Sequence, residues 1–326
     1  MLKTPRFFHA QRLAALVALV SLAACGACNC NVPGFIAGLA PGVPGATPVP
    51  GATSTPGVVL PPGVVPPAPT PPPSTLACNQ GAGAIALGPA LAPFALLAGS
   101  TITNTGLTVV TYAAGAVTGS LNDDLIGVSP GTAVVGFYPP GTDTDGPSAI
   151  YATGAGYSNA PAVPLAAQGA LTTAFNTAAG KAPTAPTFPG GQDLSQASVP
   201  GHPTGTLPPG VYKSASSMGI MAGNLTLDGG GNPQSVFVFQ AGSTLTTTLN
   251  GAAGGNVILT GGASACNIYW QVGSSAVLGG ASFYGNVLAL GSVTLTSSTQ
   301  FTGRALASTG AVTISTASLV TNPGGK

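Results

Sequence analysis

Residues 268–285 read IYWQVGSSAVLGGASFYG, residues 286–303 read NVLALGSVTLTSSTQFTG, and residues 304–320 read RALASTGAVTISTASLV. The three segments share a pattern of small polar and β-branched residues, and Gly273 recurs as Gly291. A short self-similar period is typical of a solenoid, in which each repeat stacks on its neighbours. These residues therefore predict an all-β solenoid, and the rest of the chain is interpreted from them.

Apolar and hydroxyl side chains alternate inside each repeat, which is the periodicity of a strand. At ~3.3 Å per residue, one repeat traces ~60 Å, enough for one coil of three short strands with glycine at the corners. One parity of each strand should fill the core and the other should face outward. The inward set comprises Val293, Leu295, Val312 and Ile314, and the outward set comprises Thr294, Thr296, Thr313 and Ser315.

The amino terminus is organised like a bacterial secretory signal, assigned to residues 1–24. Basic residues precede an apolar run, residues 13–24, that is too short to span a bilayer as a mature helix. The run ends in Leu-Ala-Ala-Cys, which resembles a lipobox and implies cleavage before Cys25 and a lipid on its sulfur. The expected location is the bacterial cell envelope, at the outer membrane and surface-exposed, or outside the cell. The alternative is a short membrane anchor that stays attached.

Residues 25–77 are rich in proline, glycine, alanine, valine and threonine and contain no charged residue. Such a composition cannot build a core and favours an extended chain. At ~3.1 Å per residue this segment reaches as far as ~150 Å, so it is interpreted as a disordered tether. An unstructured stretch without a role is the alternative.

Residues 78–326 form the remaining domain, which is poor in charge. They contain four Lys or Arg residues, six Asp residues and no Glu, and His202 is their only histidine. Nucleic acid binding needs clustered Lys and Arg, so no nucleic-acid partner is expected. Most hydrolytic chemistry needs acids and bases that this domain lacks. No enzyme activity, cofactor or metal site is predicted.

The roles of the five cysteines are interpreted from the compartment expected for the protein. Cys78 opens the domain and Cys266 opens the repeat block, and in an oxidising envelope these two are predicted to form a structural disulfide. Two separate buried thiols are the alternative. Cys28 and Cys30 lack the partners that a metal site needs, and their pattern has no explanation.

One segment of the domain, residues 164–179, has a helical pattern. Its apolar residues recur at helical spacing, and Gly180 is expected to end the helix. The stripe should pack against the wall of the solenoid, and it comprises Ala167, Leu171, Ala174, Phe175 and Ala178.

Seven motifs occur along the domain in a fixed order: FALLAGSTITNTG (94–106), GVSPG (127–131), LTTAFN (171–176), PGVYK (209–213), VFVFQ (236–240), ACNIYWQVGSS (265–275) and GRALA (303–307). Together they resemble the microbial ice-binding family with the DUF3494 domain, over nearly all of residues 85–321. The resemblance implies a discontinuous right-handed β-helix of triangular cross-section, with a long α-helix alongside and the amino-terminal coil packed against the carboxy-terminal one. It also implies binding to ice crystals through one flat face, without catalysis.

The candidate ice-binding face is the outward parity of the repeats, extended by resemblance to the amino-terminal coil. The residues on it are Thr101, Thr103, Thr244, Thr246, Ser292, Thr294, Thr296, Thr313 and Ser315. A second face carrying Thr299 and Thr302 is the alternative. Residues 112–126 depart from the family pattern as an insertion, which falls near an amino-terminal coil that, by resemblance, is expected to contribute to or border the ice face.

Two other functions compete with ice binding. A carbohydrate-acting enzyme would need clustered acids, and the nearest pair, Asp143 and Asp145, is more typical of a turn. A cell-surface adhesin for a glycan or another cell fits the tether as well as ice does. The expected partners are the ice crystal surface and, through Cys25, a membrane, and the protein is expected to be a monomer.

Overall fold

The computed structural model of the chain describes residues 79–112, 124–138, 141–144, 146–153, 157–184, 187–248, 254–296, 299–315 and 318–324. These residues belong to one compact unit, Pro67–Lys326. The predicted signal peptide, the predicted lipidation site Cys25, the predicted tether, Cys28, Cys30 and Cys78 lie outside the described residues. None of the helices in the described ranges combines the length and the apolar composition needed to cross a membrane.

The described chain folds into 22 strands with two α-helices and three short 3-10 turns. The helices are α1 (Gly88–Leu91) and α2 (Ala162–Ala179), and the 3-10 turns are Pro147–Ala149, Leu194–Gln196 and Ala265–Asn267. The strands before and just after α2 are β1 (Phe94–Ala98), β2 (Thr101–Asn104), β3 (Val109–Tyr112), β4 (Leu125–Val128), β5 (Ala133–Val135), β6 (Thr142–Asp143), β7 (Ile150–Tyr151), β8 (Gln192–Asp193), β9 (Thr206–Leu207), β10 (Gly210–Ser214) and β11 (Met218–Ile220). The remaining strands are β12 (Leu225–Asp228), β13 (Phe237–Ala241), β14 (Leu245–Thr247), β15 (Val257–Thr260), β16 (Ile268–Val272), β17 (Ala276–Leu278), β18 (Ser282–Ala289), β19 (Val293–Leu295), β20 (Gln300–Ala307), β21 (Val312–Ile314) and β22 (Leu319–Asn322).

The strands form the three faces of a β-helix, in which parallel strands of successive coils lie side by side. Face A contains β10, β13, β16, the second halves of β18 and β20, then β1, β4 and β7. Face B contains β8, β11, β14, β17, β19, β21, β2 and β5. Face C contains β9, β12 and β15, the first halves of β18 and β20, then β22, β3 and β6. The predicted β-solenoid is therefore confirmed.

Two of the strands, β18 and β20, run without interruption from face C to face A. The bend falls at Gly285, whose φ is 116°, and a Cβ there would lie only 2.6 Å from Cγ2 of Ile268. Glycine is required because the corner needs both a positive φ and the closest approach of two coils. The prediction of three separate strands per coil is wrong at this corner, since the ladder continues through it from Gly285 paired with Gly303.

The number of residues in a coil varies, and the extra residues lie at the corners. On face B, Ser275 and Ser292 of neighbouring coils are 17 residues apart in the chain, and Ser292 and Ala311 are 19 residues apart. On face A, the paired residues Asn286 and Arg304 are 18 residues apart. The recurrence of Gly273 as Gly291 therefore reflects similar corners rather than paired positions, because the register of face B follows the shorter step there.

The β-helix is discontinuous along the chain. Strand β20 pairs with β1, β21 with β2, and β22 with β3, so the amino-terminal coil stacks directly on the carboxy-terminal coil. Helix α2 then connects β7 at one end of the stack to β8 at the other end. This arrangement is the one that the family resemblance implies.

Helix α2 covers face A. It begins at Ala162, two residues before the predicted start, and ends at Ala179 as predicted. Ala167, Leu171, Ala174 and Ala178 are buried and pack in one cluster with apolar side chains of face A such as Tyr269 and Leu288, while Phe175 is partly buried. Gln240 of face A donates to the carbonyl oxygens of Ala178 (2.7 Å) and Lys181 (2.8 Å), which ties down the end of the helix.

An aromatic stack runs along the interior of the β-helix. Successive ring centroids lie 5.8, 5.3, 4.1, 5.1 and 5.9 Å apart, in the order Phe188, Tyr212, Phe239, Trp270, Phe283 and Phe301. Trp270 is 1% exposed and donates its indole N–H to the Tyr284 carbonyl (3.0 Å). The rings from Tyr212 to Phe301 are buried, and they fix the spacing of the coils from the inside.

Arg304 lies buried where the amino- and carboxy-terminal coils meet. It is 1% exposed, and its guanidinium donates to the Ala92 carbonyl (2.9 Å), the Asn286 side-chain oxygen (2.8 Å) and the Gly324 carbonyl (3.0 Å). Burial lowers the pKa of Arg304 to about 10, so the group stays charged at neutral pH. The planar fork of donors suits arginine to joining three separate acceptors.

Cys266 is disulfide-bonded. Its predicted partner, Cys78, lies outside the described residues, so the pairing remains a prediction. The neighbouring contacts support it, because the Asn267 amide donates to the Asn79 carbonyl (2.9 Å) and the Gly81 N–H donates to Asn267 (3.1 Å).

Replacing Arg304 with Met is expected to lower the free energy of unfolding by about 3 kcal/mol, because it leaves buried acceptors on Asn286 and Gly324 unpaired. The measurement is urea denaturation followed by the fluorescence of Trp270, the only tryptophan. The control is Lys213→Met, since the Lys213 side chain is exposed. An Arg304→Met protein as stable as the wild type would show that the coil junction does not depend on the guanidinium.

Candidate functional site

Face B carries one row of outward side chains through its centre, here called the central row. Hydrogen-bonded register aligns Gly219, Thr246, Val277, Thr294, Thr313, Thr103 and Val135 across seven successive coils. The residues on either side of Thr294 and Thr313, namely Val293, Leu295, Val312 and Ile314, are fully buried. Strand alternation therefore turns every second residue outward, as the sequence predicts.

Two flanking rows extend face B towards its corners, two residues before and two residues after the central row. The first holds Thr244, Ser275, Ser292, Ala311, Thr101 and Ala133, and the second holds Thr248, Thr296, Ser315 and Thr105. All nine residues predicted for the site thus lie together on face B. Coils repeat at ~4.8 Å and alternate residues at ~6.6 Å, so the rows form a regular grid.

The hydroxyl groups of the central row are available to solvent. Within the described ranges, the hydroxyls of Thr103, Thr246, Thr294 and Thr313 make no hydrogen bond to the protein, and each side chain is half-buried. Their χ1 angles are stiff because threonine is β-branched. The row therefore presents fixed hydroxyl and methyl groups at a constant interval.

Several hydroxyls near the corners bind the protein instead. Ser292 accepts from the Ala311 N–H (3.1 Å), and Thr296 donates to the Leu278 carbonyl (3.3 Å). Thr105 donates to the Ser315 carbonyl (2.8 Å). These bonds fix the edges of face B, whereas the four threonine hydroxyls of the central row make no hydrogen bond within the described residues.

Eight of these positions on face B were not predicted from the sequence, and they include Thr105, Thr248, Ser275 and Val277. Thr105 and Thr248 each lie two residues after a predicted site residue, Thr103 and Thr246, so strand alternation alone would have predicted them. Ser275 and Val277 were missed because the repeats were aligned one residue away from the true register. Val277, Gly219 and Val135 interrupt the threonines, so the unbroken run is Thr294, Thr313 and Thr103.

The alternative face is only partly as predicted. Thr299 is fully buried, and its hydroxyl donates to the Gly280 carbonyl (2.9 Å). Thr302 does face outward, on face C.

The only charged side chain on the described strands of face B is Asp193, at its β8 end. Its carboxylate accepts from the N–H and hydroxyl of Ser195 (3.0 and 2.7 Å) and from the N–H groups of Met221 (3.0 Å) and Ala222 (2.9 Å). Burial alone would raise the pKa of Asp193, but these four hydrogen bonds together hold it below the ordinary value of 3.8. The carboxylate is a structural cap for this end of the stack.

The described ends of the 112–126 insertion lie away from face B. The segment leaves the β-helix at Tyr112, the last residue of β3, and returns at Asp124, just before β4. Both positions belong to the corner between faces C and A. The insertion therefore begins and ends at the corner opposite face B, and residues 113–123 lie outside the described ranges.

No catalytic arrangement is found in the described part of the chain. Asp143 is buried, and Asp145 lies outside the described residues. No group of three or more His, Cys, Asp or Glu among the described residues is placed to hold a metal ion. A cavity of about 160 Å³ beside Val128, Tyr151 and Pro161 is lined by no Asp, Glu, His, Lys, Arg or Cys.

Comparison with known families and proteins gives a consistent result. A family model described as Ice-binding-like matches residues 96–320. An ice-binding protein of Nostoc sp. (strain HG1) is 40% identical over 225 residues, which cover 68% of this chain and 69% of that protein. Ice-binding protein 1 of Shewanella frigidimarina (strain NCIMB 400) is 44% identical over 110 residues, which cover 33% of this chain and only 12% of that protein.

Solved structures agree with the sequence comparison. The crystal structure of an ice binding protein from an Antarctic biological consortium is similar, with 37% identity and a TM-score of 0.57, over 74% of this chain and 94% of that one. The DUF3494 domain of the Shewanella frigidimarina protein has 31% identity and a TM-score of 0.56, over 73% of this chain and 97% of that one.

Replacing Asp193 with Ala is expected to lower the free energy of unfolding by about 2 kcal/mol at neutral pH, because four hydrogen bonds are lost. The pKa of Asp193 is lowered in the folded protein, so its stabilisation is present above the ordinary pKa and is lost as pH falls through the folded value. Urea denaturation between neutral and strongly acidic pH measures this.

The control is Asp228→Ala, since Asp228 accepts one bond, from the Gly230 N–H (3.0 Å). The free energy of unfolding should fall less in Asp228→Ala than in Asp193→Ala. If the difference in the free energy of unfolding between wild type and Asp193→Ala did not change with pH, the ionised Asp193 carboxylate would not be the source of the stabilisation.

Proposed function

Because this chain belongs to the Ice-binding-like family, we propose that it binds ice crystals, without catalysis, through face B. The observation that carries the proposal is the unbroken run of Thr294, Thr313 and Thr103, aligned by main-chain hydrogen bonds across three coils. The related proteins described above carry the name ice-binding protein, and none of that naming supports the adhesin alternative.

Ice offers a repeating array of water oxygens, with no net charge and no pocket. A surface that binds it needs breadth, flatness and regular spacing rather than converging catalytic groups. A stacked β-helix face has these properties, because its strands repeat at a fixed interval and twist less than an open sheet. Face B adds almost no charge, and its central row spans seven coils, four of which contribute a threonine.

Threonine suits this task for two physical reasons. Its hydroxyl bonds to an ordered water while its methyl group leaves neighbouring water in a cage-like arrangement. Its side chain is already restricted in χ1, so little rotamer entropy is lost on contact with the crystal. The half-buried setting of Thr103, Thr294 and Thr313 restricts them further.

The proposal includes an envelope location. The mature protein is anchored by a lipid on Cys25 at the outer membrane, and residues 25–77 act as the tether of a monomeric ice-binding domain. The attachment point fits this, because Asn79 contacts Asn267 just before β16, at the corner between faces C and A and opposite face B. The role is to attach the cell to ice or to restrain crystal growth at its surface.

Replacing Thr294 and Thr313 together with Tyr is expected to lower thermal hysteresis by about tenfold, because two bulky rings hold the crystal away from the central row. A nanolitre osmometer measures the gap between melting and freezing points and the shape of the crystal. The control is Thr173→Tyr, on the exposed side of α2. Undiminished activity in the double variant, with the fold intact by Trp270 fluorescence, would exclude face B as the main ice surface.

Replacing Cys25 with Ser is expected to move the protein from the membrane fraction to the soluble fraction or the medium, because the lipid attachment site is removed. Fractionation of expressing bacteria and immunoblotting measure this. The control is Cys28→Ser, which leaves the lipobox cysteine in place. An unchanged distribution of Cys25→Ser would contradict lipid anchoring.

A further inference from the structure

Face C carries a second threonine row, here called the face C row. Register aligns Tyr284 with Thr302, Thr302 with Thr321 and Thr321 with Thr111. The pairing of β3 with β6 places Thr144 beside Thr111, where the two hydroxyls lie 3.5 Å apart. The row therefore has four threonines in four consecutive coils, one more than the unbroken run on face B.

We propose that face C is a second ice-contacting surface, centred on Thr302, Thr321 and Thr111, which engages a different crystal plane from face B. This inference rests on the proposed function, since it assigns a further surface for the same ligand. The sequence pointed to Thr302 on an alternative face, but the alignment with Thr111 and Thr144 is visible only in the folded chain.

The hydroxyls at the centre of the face C row are open to solvent. Among the described residues, the hydroxyls of Thr302 and Thr321 have no hydrogen-bond partner. Thr111 makes only long contacts, to the Tyr112 carbonyl (3.4 Å) and the Thr144 hydroxyl (3.5 Å). Thr144 also donates to Asp124 (2.7 Å), which fixes that end of the row. The accessible part of the row thus offers the same groups, at the same coil spacing, as the central row of face B.

The row next to the face C threonines is uncharged and partly apolar. Leu319 pairs with Val109, and these side chains are 40% and 38% exposed. Gln300 lies on one side of them and Thr142 on the other. Exposed apolar side chains arranged side by side are typical of a contact surface. A protein partner would favour Arg or aromatic anchors, which are absent from the described positions of these two rows apart from Tyr284.

The shape of the β-helix decides how the two faces would be used. Faces B and C meet at the corner beside Thr105 and Ser315, both of which are exposed, so an uncharged surface continues from one face to the other. Two faces of a triangular section are inclined to each other and cannot both lie flat on one crystal plane. Face A is covered by α2 and cannot take part. Because the row beside the threonines is partly apolar on face C and rich in hydroxyls on face B, each face is expected to bind its own set of ice planes.

The test uses the purified protein labelled with a fluorescent dye on lysine amines and adsorbed to single-crystal ice hemispheres. The variants are Thr302→Tyr with Thr321→Tyr on face C, and Thr294→Tyr with Thr313→Tyr on face B. A matched control is Thr173→Tyr, which is exposed on α2 and lies on neither face B nor face C. Trp270 fluorescence and the urea midpoint confirm folding, and Thr321→Lys is a second face C variant if the double one does not fold.

The expected result is that the wild type labels two sets of planes, that each double variant loses one set, and that Thr173→Tyr labels both. Thermal hysteresis of the face C variant should fall by about twofold to threefold, less than that of the face B variant. Face C variants that label the same planes as the wild type would overturn the second surface and leave face B as the ice site. A wild type that labels no plane would instead overturn the proposed function, and the second surface with it.

Discussion

The hydrogen bonds that join β20, β21 and β22 to β1, β2 and β3 hold the molecule together. They link segments far apart in the chain, since Arg304 and its partner Ala92 are separated by 212 residues. Without this junction, the first coil would expose its strand edges and the repeat block would end in an unpaired coil. Arg304 and Asn322, which also donates to the Ala92 and Pro93 carbonyls (3.3 and 3.1 Å), close the junction from inside.

Both threonine rows depend on the same junction. The central row of face B passes from Thr313 to Thr103 across it, and the face C row passes from Thr321 to Thr111 at the same level. The accessible hydroxyls therefore lie in the part of the stack where the two ends of the domain meet. Stability and the candidate site are coupled, because a shift at the junction displaces both rows together.

Most elements of the fold could be predicted from the sequence, and those that could not have a physical reason. Strand parity predicted the inward Val293 and Leu295, and helical spacing predicted α2 to within two residues. The stacking of the first coil on the last came only from family resemblance, because alternation within a strand says nothing about which strand lies beside it. On face B, paired residues are 17 apart in one pair of coils and 19 apart in the next. The sequence did not reveal this difference, because the corners have similar compositions whatever their length. The same limitation concealed Ser275, Val277 and the partners of Thr302, which are defined by register across coils.

The meeting of the two ends in the middle of the stack has a consequence for evolution. An ordinary solenoid lengthens by duplicating a terminal repeat, because its last coil has a free edge on which another can be laid. Here the coil that ends in β22 is already covered by the coil that contains β3, so a coil duplicated after β22 would have to displace it. New coils have room only at the two outer ends, beside β5 and β8, which lie on either side of α2 in the chain. Any added coil must then be matched by a longer connection between β7 and β8, which ties the width of the faces to the length of α2 and of the segments on either side of it.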